Sequence, residues 1–246
     1  MGCTGAAVVS GAEDRRNAGL SDLRAGTIQG VAFQAVRHSL LLLSRLLIGL
    51  RVEGTSNVPA EGGVLIVSNH LCNADPLFVS VACPRPTHFM AKKELFEVPV
   101  LRWAMRKFGE FPVDRGAADR WAIKRSFATL EQGIALGMFP EGTRSRSGAL
   151  KEALPGAGLI GLRGGVPIVP VAVIGTEKLP LLGSKALGAS WRGFRGARVV
   201  FGEPFTIPAH LDGKRVTSDQ ATEIMMRRIA TLLPESYRGV YGGDTD

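Results

Sequence analysis

Three short polar segments lie in the middle of the chain, and each follows an apolar run of the kind that forms a β-strand. They contain side chains suited to acid–base chemistry and to anion binding: His70 and Asp75 in the first, Arg115 in the second, Glu141 and Arg144 in the third. A histidine can take a proton from a hydroxyl group near neutral pH, and an arginine can bind phosphate through two parallel hydrogen bonds. Together these residues suggest proton abstraction from a hydroxyl group on a phosphorylated substrate.

The first segment carries the candidate base. Four residues separate His70 from Asp75, so the carboxylate could hold one ring nitrogen while the other nitrogen accepts a proton. The spacing alone leaves open a plainer alternative, in which Asp75 caps a helix and His70 is an ordinary loop residue. Cys72 lies between them, but only His70 is at hand to lower its pKa, so a thiol nucleophile is disfavoured.

The other two segments carry the candidate anion clamps. Arg115 could bind a phosphate group, or it could form a surface ion pair with a neighbouring aspartate. In the third segment Gly142 permits a tight turn or the close approach of a substrate. Arg144 would be a second clamp, and Glu141 could orient a substrate hydroxyl or position Arg144. A plain turn is the alternative for this segment.

Short apolar runs alternate along the chain with segments of helical periodicity. Strands are predicted at Val64–Val67, Thr87–Ala91, Gly109–Val113, Ile134–Phe139, Val166–Ile174 and Ala197–Phe201. Helices are predicted from Pro76, over Lys92–Lys107 with a break at Pro99, over Asp119–Gln132, over Pro155–Arg163 and over Thr217–Leu233. This alternation predicts an α/β fold with a mostly parallel central sheet flanked by helices. Functional loops of such a sheet lie at the carboxyl ends of its strands, where all three polar segments fall.

Three local signals refine this prediction. Asp75 followed by Pro76 is typical of a helix N-cap and first turn. Thr217 and Gln220 have the spacing of a capping box at the start of the last helix. Pro170 falls inside the strongest predicted strand, which favours an edge position or a bulge, because proline cannot donate to a sheet ladder.

The chain divides into three parts on composition: a flexible tail at 1–27, a membrane-associating helix at 28–50 and one α/β domain at 51–246. The helix rests on the apolar run Val31–Leu50, which is long enough to cross a bilayer. Arg37 and Arg45 interrupt that run, and a central arginine is costly in hydrocarbon. We therefore expect an interfacial helix, with its apolar face in the acyl layer and its arginines at the headgroups. A core-packing helix and a full span remain alternatives.

Composition narrows the choice of partner and cofactor. The formal net charge of +8 favours an anionic partner, while an aromatic content of 7% argues against nucleic acid. The three cysteines have no metal-ligand spacing and fit a reducing cytosol, so no metal is expected. The segment from Gly156 to Gly161 matches the dinucleotide fingerprint, but no strand precedes it, so no nucleotide cofactor is expected.

Taken in order, these segments resemble four motifs of the glycerophospholipid acyltransferases, and among them the 1-acyl-glycerol-3-phosphate acyltransferases. The resemblance rests on His70 to Asp75, Phe111 to Arg115, Phe139 to Ser145 and Val166 to Val171, within a match that covers about residues 50–205. The third of these segments, with the sequence FPEGTRS, is the most specific.

The resemblance implies transfer of an acyl group from acyl-CoA or an acyl-carrier protein to a lysophospholipid hydroxyl at the cytoplasmic face of a membrane. His70 would be the base and Asp75 would orient it. The acceptor would be held by Arg115, Glu141, Gly142, Thr143 and Arg144. Neither a covalent acyl-enzyme nor a metal nor a cofactor is implied. Two alternatives stay open: another acceptor, such as glycerol 3-phosphate or a different lysophospholipid, and a catalytically silent membrane-binding protein.

Overall fold

The structure, a computed structural model, describes residues 23–24, 27–114, 119–179 and 196–243 of the 246-residue chain. The helices are α1 (Gly30–Ile48), α2 (Asp75–Ala82), α3 (Pro99–Lys107), α4 (Arg120–Glu131), α5 (Gly156–Gly164) and α6 (Ser218–Leu232). The strands are β1 (Arg51–Glu53), β2 (Val64–Ser68), β3 (Thr87–Lys92), β4 (Phe111–Val113), β5 (Ala135–Met138), β6 (Ile168–Ile174), β7 (Arg198–Phe201), β8 (His210–Leu211) and β9 (Lys214–Arg215). Most of the predicted tail, and Arg115, lie outside the described residues.

Seven strands form the central sheet in the order β1-β7-β6-β2-β5-β3-β4. Every neighbouring pair is parallel except β6 with β7. The predicted mostly parallel sheet flanked by helices is therefore confirmed. Strands β2 and β5 are neighbours at the centre, so the loops that follow them meet at the carboxyl edge of the sheet.

The sheet is buried on both faces, as parallel sheets are. Along β2 the side chains alternate between two apolar clusters. Val64 and Ile66 belong to the cluster that α1 and α2 cover, whereas Leu65 and Val67 belong to the cluster that α4, α5 and α6 cover. The continuous apolar run of β2 thus follows from its two covered faces.

Helices α5 and α6 approach each other closely through small residues. A Cβ atom on Gly158 would lie 1.9 Å from the Ser218 carbonyl oxygen, and one on Gly161 would lie 2.1 Å from Met225 Cε. The glycine pattern of α5 therefore serves helix packing, and the chain before Gly156 is not a strand. At the start of α6, Thr217 and Gln220 form the predicted capping box.

Two of the local predictions need correction. Pro170 lies in β6, an interior strand, so an edge position is wrong. The segment paired with β6 nevertheless carries a bulge opposite Pro170. Ile168 and Val171 are three residues apart in β6, whereas their pairing partners, Phe205 and Phe201, are four residues apart. Asp75 is the first residue of α2 and not its N-cap. Its carboxylate turns back toward the preceding loop.

Helix α1 presents an apolar surface outward. It is 19 residues long and, within the described ranges, it is the one helix whose length and composition would allow a membrane crossing. Leu46 and Leu47 are exposed, which suggests membrane association. Arg37 does not reach toward headgroups as expected, because its guanidinium donates inward to the carbonyl oxygens of Cys83 (2.7 Å) and Ala82 (3.1 Å). Arg45 is exposed.

Candidate active site

The candidate base and its carboxylate lie in contact at the carboxyl end of β2. His70 Nδ1 is 3.0 Å from Asp75 Oδ2, and both side chains are buried. A carboxylate only accepts hydrogen bonds, so the proton between the two groups belongs to Nδ1. That tautomer leaves the lone pair of Nε2 available to accept a proton from a substrate.

Asp75 is held by three further donors. Its Oδ2 atom accepts from the backbone N–H groups of Leu71 (2.6 Å) and Cys72 (2.7 Å), and its Oδ1 atom accepts from the Thr176 hydroxyl (2.7 Å). These donors fix the carboxylate and leave it in place to orient the imidazole. Thr176 was missed by the sequence reasoning, although it follows β6 and so occupies the same carboxyl edge.

The main chain of His70 is tied to the loop after β5 at both of its polar groups. The His70 N–H donates to Glu141 Oε1 (3.1 Å), and the His70 carbonyl accepts from the Ser145 N–H (2.7 Å). The imidazole stacks on Phe139, with the ring centroids 4.2 Å apart. The two predicted loops therefore form one unit, because β2 and β5 are neighbours in the sheet.

Glu141 faces the protein interior. Besides the bond from His70, its Oε2 atom accepts from the Lys151 N–H at 3.3 Å. Burial raises the pKa of Glu141 to about 7, while the two N–H donors act in the opposite direction. The contacts of this carboxyl are with the protein backbone, and its predicted contact with a substrate hydroxyl stays a prediction.

The turn that follows Glu141 lies at the protein surface. Gly142 has φ +70°, and a Cβ atom there would lie 2.6 Å from Leu154 Cδ1, so the turn requires glycine. Thr143 and Arg144 are exposed, and the Thr143 hydroxyl accepts from Lys151 Nζ. Arg144 directly precedes Ser145, whose N–H donates to the His70 carbonyl, so the backbone of Arg144 lies beside the His70 loop.

Cys72, in the loop between His70 and Asp75, bears on a second chemistry at this site. Burial raises the pKa of the Cys72 thiol to about 11, which disfavours a thiolate nucleophile.

In the second predicted segment, Asp114 follows β4 and forms an ion pair with Lys93, whose Nζ lies 2.5 Å from Asp114 Oδ2. Arg115 itself lies outside the described residues, so its part in the site stays a prediction. Within the described ranges no group of three or more histidine, cysteine, aspartate or glutamate side chains could hold a metal.

Asn69 connects this site to the adjacent strand. Its side-chain amide donates to the Val173 carbonyl (2.8 Å) and accepts from the Val173 N–H (2.7 Å), as a backbone peptide would. The loop that carries His70 is thereby fixed on both sides, by β6 and by the loop after β5. The fold and the site together define an α/β protein with a buried histidine–aspartate pair at the carboxyl edge of its sheet.

Comparison with known proteins gives this class a family. The family model described as Acyltransferase matches residues 49–174. A 1-acyl-sn-glycerol-3-phosphate acyltransferase of Bacillus subtilis is 32% identical over 188 residues, which cover 75% of this chain and 88% of that protein. The chain belongs to the acyltransferase family, and the resemblance seen in the motifs is confirmed.

Other similar proteins are longer or more distant. A chloroplastic 1-acyl-sn-glycerol-3-phosphate acyltransferase of Arabidopsis thaliana is 30% identical over 141 residues, or 56% of this chain. The chain spans 39% of the length of that protein and 40% of a similar one from Brassica napus. The crystal structure of the 1-acyl-sn-glycerophosphate acyltransferase PlsC from Thermotoga maritima matches with a TM-score of 0.56 at 21% identity. That match covers 90% of this chain and 82% of the other, and it shows a shared fold.

Proposed function

We propose that this protein transfers a fatty acyl group from acyl-CoA or an acyl-carrier protein to the free hydroxyl of 1-acyl-glycerol 3-phosphate, giving phosphatidic acid. The observation that carries the proposal is the buried His70–Asp75 pair at 3.0 Å, in a loop fixed by hydrogen bonds to two neighbouring segments. Family membership and the names of the relatives support the choice of reaction and acceptor.

In the proposed reaction His70 Nε2 takes the proton of the acceptor hydroxyl as its oxygen attacks the thioester carbonyl carbon. The carbon–sulfur bond of the resulting tetrahedral intermediate then breaks, and the departing thiolate receives from His70 the proton that came from the acceptor hydroxyl. Asp75 stabilises the imidazolium and holds the ring in the correct tautomer. General-base assistance of this kind contributes about 10²–10⁴-fold to the rate.

The acceptor phosphate would be held by Arg115 and Arg144, beside the turn formed by Gly142 and Thr143. The exposure of Arg144 and the position of its backbone beside the His70 loop support this role. Glu141 would act mainly by fixing the His70 loop, since both of its oxygens accept from backbone N–H groups. No metal or cofactor takes part in the proposed steps.

The proposed setting is the cytoplasmic face of a membrane, with residues 28–50 as the membrane-associating segment, residues 1–27 as a tail and residues 51–246 as the catalytic domain. The exposed leucines of α1 support the membrane contact. The described cysteines, Cys72 and Cys83, are buried free thiols, which is compatible with a reducing compartment.

The test is thiol release from acyl-CoA, measured with the full chain against a panel of acceptors. The panel contains 1-acyl-glycerol 3-phosphate, glycerol 3-phosphate and lysophospholipids with other headgroups, and the product is identified by mass spectrometry. We expect release to depend on 1-acyl-glycerol 3-phosphate and to yield phosphatidic acid. Faster release with another acceptor would reassign the substrate, and no release with any acceptor or donor would refute the proposal.

A further inference from the structure

A second apolar surface lies uncovered between β3 and β4. It is formed by a 3-10 turn (Lys93–Glu97) and by α3, and we call it the α3 surface. Its exposed apolar side chains are Leu95, Val98, Val100, Leu101 and Trp103. Val100 is 74% exposed and Trp103 is 66% exposed, and no α3 residue is buried against the part of the chain that the structure describes. A helix on a soluble protein normally buries one apolar stripe, so this one lacks a packing partner among the described residues.

The α3 surface is held in position by polar contacts at its ends. Arg102 Nε donates to the Phe96 carbonyl at 2.7 Å, which fixes the helix on the turn. The ion pair between Lys93 and Asp114 fixes the turn to the end of β4. At the other end, the Ile28 N–H donates to the Lys107 carbonyl at 2.9 Å. The start of α1 therefore lies beside the end of α3.

The charge of the segment that forms the α3 surface indicates the kind of partner that this surface binds. Between Lys92 and Lys107 the chain carries five basic residues and two acidic ones. Exposed aliphatic side chains, a tryptophan and surrounding lysines and arginines are the features of a segment that lies in a membrane interface. Basic residues near such a surface are attracted by anionic headgroups. We propose that the α3 surface inserts into the interface of a bilayer that contains anionic phospholipids, as a second membrane contact beside α1.

The position of the α3 surface relates this membrane contact to the candidate active site. Lys92 ends β3, so the turn and α3 emerge at the carboxyl edge of the sheet, where His70 also lies. A bilayer at this edge would present a lipid acceptor next to the site, and this part of the inference rests on the proposed function. The insertion itself depends only on the apolar and charged residues of the segment.

The first experiment reports on Trp103 directly. The full chain and its Trp103→Phe variant are mixed with vesicles of phosphatidylcholine and phosphatidylglycerol, and the difference between their fluorescence spectra isolates Trp103. We expect a blue shift on binding and quenching by lipids brominated on the acyl chain. Unquenched Trp103 emission from vesicle-bound protein would mean that α1 binds alone, and it would overturn the proposal.

The same pair of proteins tests for other occupants of the surface. Without vesicles, acrylamide should quench Trp103 readily, because its side chain is exposed. Shielding from acrylamide would show that the N-terminal tail or a second copy of the chain covers the α3 surface, and it too would overturn the proposal. Light scattering would distinguish these two occupants by mass.

The second experiment measures binding by vesicle flotation. Val100→Asp should weaken partition about tenfold or more, because it removes an inserted side chain and adds a charge. The matched control is Leu211→Asp in the β8–β9 hairpin, where an exposed leucine outside the α3 surface receives the same charge. Equal binding of the two variants, or equal binding of the wild type to phosphatidylcholine alone, would contradict the proposal.

Thiol release with a detergent-dispersed acceptor separates this inference from the proposed function. Val100→Asp should retain wild-type release under these conditions, because the acceptor no longer has to leave a bilayer. Loss of release by Val100→Asp in detergent would mean that Val100 acts within the site, against the proposal. A wild type that releases no thiol refutes the proposed function, while the flotation and fluorescence results still decide membrane insertion.

Discussion

Two buried histidines lie at opposite ends of the strands of the central sheet, and they differ in the groups that surround them. His70, at the carboxyl edge, has Asp75 on its Nδ1 atom and is 5% exposed. His88, near the amino end of β3, is 1% exposed, and its Nδ1 atom has no hydrogen-bond partner among the described residues. Burial lowers the pKa of His88 to about 4, with the charges of Arg125 and Arg24 acting in the same direction. Burial and nearby positive charges thus disfavour the protonated form of His88, whereas His70 has the carboxylate partner that the proposed base requires.

The largest expected effect separates the two histidines by activity. His70→Ala should lower kcat for acyl transfer by about 10²–10⁴-fold, because the proposed general base is lost. His88→Gln should leave kcat close to that of the wild type, since its ring lies at the other edge of the sheet. Both variants are assayed by thiol release, and circular dichroism checks that each is folded. Substantial turnover by His70→Ala, or its loss in His88→Gln, would break the distinction.

The next effect concerns the packing of His88. A Cβ atom on Gly109 would lie 2.0 Å from the His88 ring, at φ +79°. We expect Gly109→Ala to lower the free energy of unfolding by about 3 kcal/mol, from backbone strain and overpacking together.

Gly62→Ala is the matched control for that variant. Gly62 has φ +76°, and a Cβ atom there would have no described atom within 4 Å apart from its own and the adjacent residues, so this substitution carries the backbone strain alone. It should cost about 1 kcal/mol. Urea denaturation compares the two variants, and equal losses of stability would show that the ring of His88 can move aside.

The pH dependence of stability should show that His88 is neutral in the folded protein. Its pKa is about 4 when folded against 6.5 when unfolded, so the unfolded chain binds the extra proton between these values. The free energy of unfolding should therefore fall as the pH drops from 6.5 toward 4, by about 3 kcal/mol in total from this residue. Urea denaturation of the wild type and of His88→Gln across this range isolates the contribution, because the other titrating groups are common to both. Parallel profiles would mean that His88 titrates normally.

The smallest expected effect concerns the support of Asp75. Thr176→Val removes the hydroxyl that donates to Asp75 Oδ1, which should lower kcat about threefold to tenfold, the worth of one hydrogen bond. Thr176→Ser retains the hydroxyl and should recover most of the rate. The pH profile of kcat provides a second readout, because the loss of one hydrogen-bond donor changes how strongly the Asp75 carboxylate stabilises the imidazolium. If the serine variant were as slow as the valine variant, methyl-group packing and not the hydrogen bond would explain the loss.

The sequence predicted the central sheet and most helix positions because each depends on local patterning. Continuous apolar runs marked β2, β5 and β6, and the loops at their ends held the chemistry-bearing residues. Strand β1, with three residues, and the hairpin of β8 and β9 were missed, since such short strands carry no periodicity. The antiparallel pairing of β7 also needed knowledge of which strands become neighbours.

The site was predictable in its residues but not in their contacts. The spacing of His70 and Asp75 indicated their pairing, since both lie in the short segment from the end of β2 to the start of α2. The inward orientation of Glu141 and the contact of Thr176 with Asp75 join segments 71 and 101 residues apart in the chain. Such contacts follow from strand order, which one sequence does not display.

The two hydrogen bonds from Arg37 have a mechanical consequence. They end on Ala82 and Cys83, at the C-terminus of the same short helix whose first residue is Asp75. Pulling α1 away from the body would break the hydrogen bonds between a half-buried guanidinium and two carbonyl oxygens, which is energetically costly. Helix α1 is therefore tied to the short helix that begins with Asp75, so under the proposed function the angle at which α1 rests on a lipid surface would set the direction from which an alcohol reaches the imidazole.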